Sequence, residues 1–144
     1  MKFTLRKFRP EDYERVIQLW QEGNLPLKLK GRDRQEEIEK QIKQPNVIFL
    51  VAEYEGEVVG TVLATHDSRK GWINRLAVDK RFRRKGVGQL LVRAAEAALE
   101  KEGLEMFAAL IEEDNLASIE LFRKLGYEYH PEIKYFTRKK YPEV

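Results

Sequence analysis

Apolar and polar residues follow two different periods along this 144-residue chain, and each period predicts a different element. "FTLRKF" near the start alternates apolar and polar positions, as a half-buried strand does. After Pro10, apolar side chains recur at the spacing i, i+3, i+4, i+7, which predicts one face of an α-helix. These side chains are Tyr13, Val16, Ile17 and Trp20. A second, more polar helix is predicted from about Asp33, with Pro45 ending it.

The middle of the chain is rich in residues that favour strands. "NVIFLVAEY" and "EVVGTVLATH" are two such runs, and Glu55-Gly56 between them predicts a hairpin. "GWINRLAV" is a third run, and a long amphipathic helix follows it from about Val87 until Gly103. The pattern therefore predicts three consecutive strands and then a helix.

The last third repeats the alternation of strand and helix. "EMFAALIE" predicts a strand, and "NLASIELFRKLG" predicts a short helix with Asn115 as N-cap and Gly126 as C-cap. A final pair of strands is predicted from about Tyr127 to Lys139. The order is β-α-α-β-β-β-α-β-α-β-β, which predicts one α/β domain with a mixed sheet over residues 1–144.

Composition narrows the classes of protein that fit this pattern. The chain is 42% hydrophobic and 35% charged, which is typical of a soluble globular domain. It has no cysteine, so a disulfide framework, a thiol nucleophile and thiolate metal ligands are excluded. No segment reaches the ~20 apolar residues that span a bilayer, and no signal peptide is visible. We expect a cytoplasmic protein with no membrane partner and no metal.

The stretch Arg83-Arg84-Lys85-Gly86-Val87-Gly88 is the strongest candidate for chemistry. It lies between a predicted strand and a predicted helix, and a helix N-terminus presents unpaired N–H groups that attract phosphate oxygens. Glycines would allow close approach of the anion, and the three cations would add attraction. A plain strand-to-helix turn with solvated cations is the alternative. A Walker A loop and a dinucleotide fingerprint are excluded, because Gly-Lys-Ser/Thr and a third glycine are missing.

Two motifs resemble the signatures of the GNAT N-acetyltransferases. "LAVDKRFRRKGVGQLLV" is similar to the acetyl-CoA signature, although Lys80 replaces the usual proline. "NLASIELFRKLGY" is similar to the second signature, and the resemblance covers nearly the whole chain. It implies an enzyme that transfers acetyl from acetyl-CoA to a primary amine of a small molecule or peptide by direct attack, on a sheet whose fourth and fifth strands splay to form the cofactor cleft.

The resemblance also implies which residues hold the cofactor. The backbone of residues 83–88 would wrap the pyrophosphate, and the pantetheine would pair with the strand Leu76-Ala77-Val78. A backbone N–H there would stabilise the tetrahedral oxyanion. The other side of the cofactor would be lined by Asn115, Ser118 and Phe122. The full cofactor set is Leu76, Ala77, Val78, Arg83, Arg84, Lys85, Gly86, Val87, Gly88, Asn115, Ser118 and Phe122.

The catalytic acid and base are less evident. The family's tyrosine position is Phe122, and its two familiar glutamate positions fall at Trp72 and Leu110. Glu112 shares the strand face of Leu110 and is the candidate base, with a solvated strand-end carboxylate as the alternative reading. A non-catalytic acetyl-CoA-binding module is therefore the second hypothesis.

The acceptor pocket is expected between the loop Gly23–Gly31 and the final strands. That loop mixes apolar and cationic residues, which is compatible with an acceptor carrying an apolar part and a carboxylate. These residues are Leu25, Pro26, Leu27, Lys28 and Lys30. A nucleic-acid-binding protein using the cluster Lys80–Lys85 is the least favoured hypothesis, because the net charge is only +3. The identity of the acceptor and the choice between monomer and homodimer stay open.

Overall fold

Five strands form one mixed sheet in the computed structural model, which describes residues 1–144. The strands lie in chain order, with β1 to β4 antiparallel to their neighbours and β5 parallel to β4. Their bounds are β1 Thr4–Lys7, β2 Val47–Tyr54, β3 Glu57–His66, β4 Gly71–Val78 and β5 Phe107–Ala108. The helices are α1 Tyr13–Glu22, α2 Gln35–Gln41, α3 Val87–Lys101 and α4 Leu116–Lys124, with short 3₁₀ turns at Pro10–Asp12 and Lys80–Phe82. The predicted α/β class and the order of these nine elements are confirmed.

The sheet is covered on both faces. Val51 packs in a cluster with α1 and α2, whereas its neighbour Ala52 packs in a cluster with α3 and α4. Successive residues of a strand point to opposite faces, so these two side chains lie on different sides of the sheet. Both are fully buried because helices cover both faces. None of the helices has the length and apolar character needed to cross a bilayer.

The local signals in the sequence produce the turns and caps that they predict. Glu55 and Gly56 both have positive φ, +50° and +81°, as a two-residue hairpin of type I′ requires. Asn115 caps α4 by accepting a hydrogen bond from the Ser118 N–H at 3.2 Å. Gly126, with φ of +97°, ends that helix, and the Tyr127 N–H donates back to the Phe122 carbonyl at 2.9 Å. This pair of features is a Schellman cap.

The predicted final pair of strands, from Tyr127 to Lys139, is wrong. Every residue from Glu128 to Glu143 is exposed. Between Glu128 and Lys140 the only backbone–backbone hydrogen bond is local, from the Ile133 N–H to the His130 carbonyl at 3.3 Å. A strand needs a partner edge, and within this chain none accepts the segment. Residues 128–138 form instead an exposed segment, the C-terminal arm.

Candidate active site

Strands β4 and β5 diverge almost as soon as they pair. The ladder contains only Gly71 opposite Phe107 and Trp72 opposite Ala108. Beyond Trp72, that edge of β4 has no strand partner. A single hydrogen bond bridges the opening, from the Leu110 N–H to the Asn74 Oδ1 at 3.0 Å. The predicted splayed pair is therefore present, with a gap between residues 73–78 and residues 109–113.

A β-bulge changes the direction of the β4 backbone beside this gap. The register between β3 and β4 shifts between Thr61 and Leu63, so that Arg75 and Leu76 together face Val62. Arg75 has a left-handed φ of +56°, which is uncommon for any residue other than glycine, asparagine or aspartate. Such backbone strain costs about 1–3 kcal/mol and clusters at functional sites.

The side chain of Arg75 ties β4 to the loop between α1 and α2. Its Nη1 donates to the Pro26 carbonyl at 2.7 Å, and its Nη2 donates to the Asp33 carboxylate at 3.3 Å. The guanidinium also lies 4.9 Å from the centre of the Trp20 ring. Burial lowers the pKa of Arg75, and the charge of Asp33 opposes that shift. Asp33 is itself buried and also accepts the Lys28 N–H at 2.8 Å, so the loop is fixed at two points.

The basic glycine stretch forms a turn in which three consecutive backbone amides have no acceptor. Arg84 and Gly86 both have left-handed φ values, +61° and +85°. No group of the chain accepts a hydrogen bond from the backbone N–H of Arg84, Lys85 or Gly86. Helix α3 begins at Val87, and the first amides of a helix have no intrahelical acceptor. These donors lie at the N-terminal end of a 15-residue helix, where the helix dipole favours an anion such as a phosphate.

The two glycines of this stretch serve different purposes. A Cβ at Gly86 would meet no atom within 4 Å, so glycine is favoured there by its positive φ. A Cβ at Gly88 would lie 2.9 Å from the Cδ2 of Leu121 on α4 and 3.9 Å from Leu76 and Val78 on β4. Gly88 therefore allows α3 to approach α4 and β4 closely.

The cations of the stretch are distributed unevenly. Arg84 and Lys85 are exposed and make no side-chain hydrogen bond. Arg83 points its Nε towards the Val78 carbonyl at 3.4 Å, which is at the long limit for a hydrogen bond. Arg81, in contrast, is occupied by ion pairs with Asp79 at 2.9 Å and Glu57 at 2.6 Å. The free positive charge is therefore concentrated at the start of α3.

The other predicted cofactor residues differ in their exposure and in the face of the sheet on which they lie. Leu76 is half-buried beside α3, and Ala77 is buried on the opposite face of the sheet. Ser118 is half-buried on the first turn of α4. The ring of Phe122 is 5% exposed and packs edge-on against Tyr127 with centroids 4.8 Å apart. Phe122 is thus mainly a core residue, and Leu121 is the α4 side chain nearest to Gly88.

The candidate base has no partner in the chain. Glu112 is exposed on the segment that leaves β5, and its carboxylate makes no hydrogen bond or ion pair. Trp72 and Leu110, at the two other positions considered, are a half-buried aromatic residue and a 49% exposed aliphatic residue. Glu112 and its neighbour Glu113 are both exposed carboxylates without a partner on this wall of the gap.

Sequence reasoning missed Asn74 and Arg75. Both are polar residues in the middle of the apolar run "GWINRLAV", and that interruption was the available signal. Only the structure shows that one bridges the gap and the other holds the loop. The same loop approaches the chain terminus, since a nearby Lys28 lowers the pKa of Lys139.

Comparison with known proteins identifies a family to which the sequence is similar. Residues 10–127 match the model of the "Acetyltransferase (GNAT) family". A curated relative, "Acetyltransferase plu1384" of Photorhabdus laumondii, is 35% identical over 136 residues, which cover 94% of each chain.

Solved structures share the fold. The PaiA N-acetyltransferase of Thermoplasma acidophilum, in complex with coenzyme A, superimposes with a TM-score of 0.78 at 18% identity and covers 90% of this chain and 92% of its own. Ard1 of Thermoplasma volcanium gives a TM-score of 0.73 at 26% identity, with 88% and 82% covered. At 18% identity, the similarity to the PaiA structure establishes a shared fold, and the bound coenzyme A is a feature of the PaiA structure.

Proposed function

This chain belongs to the acetyltransferase (GNAT) family, and we propose that it transfers acetyl from acetyl-CoA to a primary amine of a small molecule or peptide. Its enzyme class, N-acetyltransferase, is the one predicted from the motifs. The observation that carries the proposal is the juxtaposition of an unpaired β4 edge with the free amides of Arg84, Lys85 and Gly86.

The two parts of the cleft suit the two parts of coenzyme A. The free amides and the helix N-terminus would hold the pyrophosphate, with Arg84 and Lys85 adding charge-assisted contacts. The pantetheine arm carries two amide groups, and the open edge of β4 from Leu76 to Val78 offers backbone groups that would pair with them. The bulge at Arg75 would turn a backbone N–H towards the thioester carbonyl.

Direct transfer then needs only a few steps. A neutral amine nitrogen attacks the thioester carbonyl carbon, so a C–N bond forms and the oxygen becomes negatively charged. A backbone N–H of β4 would stabilise that charge, which is a contribution of about 3–4 kcal/mol in well-studied oxyanion holes. Collapse breaks the C–S bond, and the coenzyme leaves as a thiolate. Glu112, directly or through water, would take the proton that the amine releases.

The leaving thiolate would not need a strong protein acid. An ordinary thiol has a pKa near 8.5, so it is a good leaving group at neutral pH. This matters because the ring of Phe122 cannot donate a proton. Phe122 would touch the cofactor only at its small exposed edge.

We propose an acceptor that carries an apolar part and an anionic group. Leu25 and Leu27 on the loop are half-buried and pack on the core, while Lys28 lies close to Lys139. Two neighbouring ammonium groups favour a negative ligand. Amino acids, short peptides and their derivatives have this chemistry.

A second candidate is a non-catalytic acetyl-CoA-binding module. It is favoured by the aliphatic or aromatic side chains at all three familiar catalytic positions, Trp72, Leu110 and Phe122. Such a module would bind acetyl-CoA and transfer nothing.

One experiment separates the two candidates. Release of free coenzyme A is measured with a panel of amino acids, polyamines, aminoglycosides and peptides, and acetyl-CoA binding is measured by calorimetry. Turnover with an anionic amine supports the proposed enzyme. Tight binding without turnover on any panel member supports the module, and absence of binding contradicts both.

A further inference from the structure

Asn74 lies where β4 and β5 separate, on the face of the sheet that carries the loop between α1 and α2. Its neighbour Ile73 is buried against α3 and α4, so the side chain of Asn74 is directed to the opposite face. Its partner in the β3–β4 ladder, Leu63, belongs to the cluster with α1 and α2. Leu25 and Leu27 of the loop pack against that same cluster. Asn74 therefore shares a face with the loop that is expected to hold the acceptor.

The bridge across the gap fixes the amide of Asn74 in one orientation. The Leu110 backbone N–H can only donate, so the Asn74 atom that lies 3.0 Å from it is the oxygen Oδ1. The nitrogen Nδ2 then carries two N–H groups, and neither has an acceptor within the chain. The unpaired side-chain nitrogens that are fully buried are Arg6 Nε and Trp20 Nε1, so Nδ2 of Asn74 keeps an accessible surface. A ligand in the gap can receive its hydrogen bonds.

Asn74 is also adjacent to the place where transfer would occur. It precedes the bulge at Arg75 and Leu76, which would turn a backbone N–H towards the thioester carbonyl. Successive residues of a strand are about 3.3 Å apart, so the free amide lies within one or two residue lengths of this proposed reaction centre. Glu112, the candidate base, is two positions beyond Leu110 on the other wall. An amine that reaches the thioester from the α1/α2 face would pass beside Asn74.

The chemistry of the transfer limits which acceptor atom Asn74 could bind. The attacking amine needs its lone pair for the thioester carbon, so it cannot accept a hydrogen bond at the same time. A carbonyl oxygen next to the amine can accept one without reducing the nucleophilicity of the nitrogen. Amino acids, their esters and peptides carry a carbonyl beside the α-amine, whereas simple alkyl amines and polyamines do not.

We propose that Asn74 is a specificity-determining residue of the acceptor site. Its Nδ2 donates to the carbonyl oxygen beside the attacking α-amine, so the enzyme selects amino acids and peptides with a free α-amine over simple alkyl amines. This inference rests on the proposed function and narrows its class of acceptor. Asn74 orients the acceptor only, and the bonds that form and break are the C–N and C–S bonds of the transfer already described.

The test measures binding, so it needs no turnover. Two conjugates are prepared in which an acetyl group joins the sulfur of coenzyme A to an amine nitrogen. One contains glycine methyl ester, and the other contains methoxyethylamine, which differs only in lacking the carbonyl oxygen. Calorimetry on the native chain should show that the glycine ester conjugate binds at least ~10-fold more tightly, because the other conjugate leaves the Asn74 donors unpaired.

The variant Asn74→Asp separates the donor from the bridge. Its carboxylate can still accept the Leu110 N–H, but it has no N–H to give to a ligand. Acetyl-CoA should bind this variant within about 3-fold of the native affinity, and the preference for the glycine ester conjugate should disappear or reverse. Gln44→Glu makes the same change from amide to carboxylate at an exposed side chain without a hydrogen bond, so it should keep the native preference. Circular dichroism establishes that both variants are folded.

The possible failures point to different errors. A native chain that binds acetyl-CoA but shows no preference between the conjugates overturns the inference, whatever the variant does. An Asn74→Asp protein that keeps the preference overturns it too. Equal weakening of both conjugates in that variant would assign the Asn74 donors to the acetyl carbonyl, which both conjugates contain, and would also overturn it. A native chain that does not bind acetyl-CoA contradicts the proposed function, and this inference with it.

Discussion

Removal of the Arg75 guanidinium is the perturbation whose effect the structure defines best. Arg75→Met keeps most of the apolar volume and the left-handed backbone, and removes the two hydrogen bonds to Pro26 and Asp33. Asp33, whose side chain is only 5% exposed, would keep its charge with the Lys28 N–H as its remaining partner. Hydrogen bonds to charged groups contribute about 1.5–3 kcal/mol, and breaking a buried pair costs about 3–5 kcal/mol. Because Asp33 keeps one donor, we expect a loss of about 2–4 kcal/mol in the free energy of unfolding.

The assay is urea unfolding followed by fluorescence of the two tryptophans, one of which, Trp20, lies against Arg75. Arg69→Met is the matched control, because the Arg69 side chain is exposed and unbonded, and it should change stability by less than about 0.5 kcal/mol. In the Arg75→Met background, Asp33→Asn should recover part of the loss, since the unpaired charge disappears. We also expect the KM for the acceptor to rise more than the KM for acetyl-CoA, because the loop that loosens belongs to the proposed acceptor side. A stability change for Arg75→Met as small as that of the control would refute the reasoning.

Three further predictions concern Gly86 in the turn before α3, the candidate base Glu112, and Asp79 with its ion pairs. Gly86→Ala places a side chain at φ of +85° and should lower the free energy of unfolding by about 1–2 kcal/mol. Calorimetry should also show acetyl-CoA binding at least ~10-fold more weakly to this variant. The control Gly103→Ala, at φ of +92° but far from the loop in sequence, should lose stability only. Glu112→Gln should lower kcat/KM at neutral pH and approach the native value at alkaline pH, where the amine is neutral unaided; an unchanged pH–rate profile would remove Glu112 from catalysis. Hydrogen bonds from Arg81 hold the pKa of the Asp79 carboxyl well below its usual value, so its stabilising effect is complete above about pH 4 and fades as the pH falls through the folded pKa. Thermal melts of Asp79→Asn should therefore differ most from the native protein near neutral pH and converge with it in acid.

The parts of the fold that the sequence predicts well are governed by short-range rules. The hairpin at Glu55-Gly56 and the two caps of α4 follow from the conformational preferences of a few adjacent residues. The turn before α3 belongs to the same class, since the positive φ of Gly86 and the start of the helix at Val87 depend on adjacent residues. The family motifs added the divergence of β4 and β5, which hydrophobic periodicity alone would not reveal.

The errors arise where structure depends on partners that are distant in sequence. Residues 127–139 have strand-like composition, but composition does not say whether an edge is available to pair with them. Arg75 interacts with Asp33, which is 42 positions away, so no local pattern indicates the contact. The burial of Phe122 could not be predicted from the sequence either. Its place in the motif indicates its position along α4, but it does not indicate which side chains pack around it.

The short ladder between β4 and β5 has a consequence for the lifetime of the protein. An empty gap leaves the edge of β4 from Ile73 to Val78 open to water, so its amides should exchange hydrogen early and local opening should begin there. If acetyl-CoA occupies the gap, it takes the place of the missing ladder and binds only the folded form. Thermodynamic linkage then adds about 2.7 kcal/mol when the cofactor is 100-fold above its dissociation constant. The metabolic supply of the acetyl donor would thus set the resistance of this chain to unfolding and proteolysis, and a cell short of it would lose the enzyme as well as its substrate.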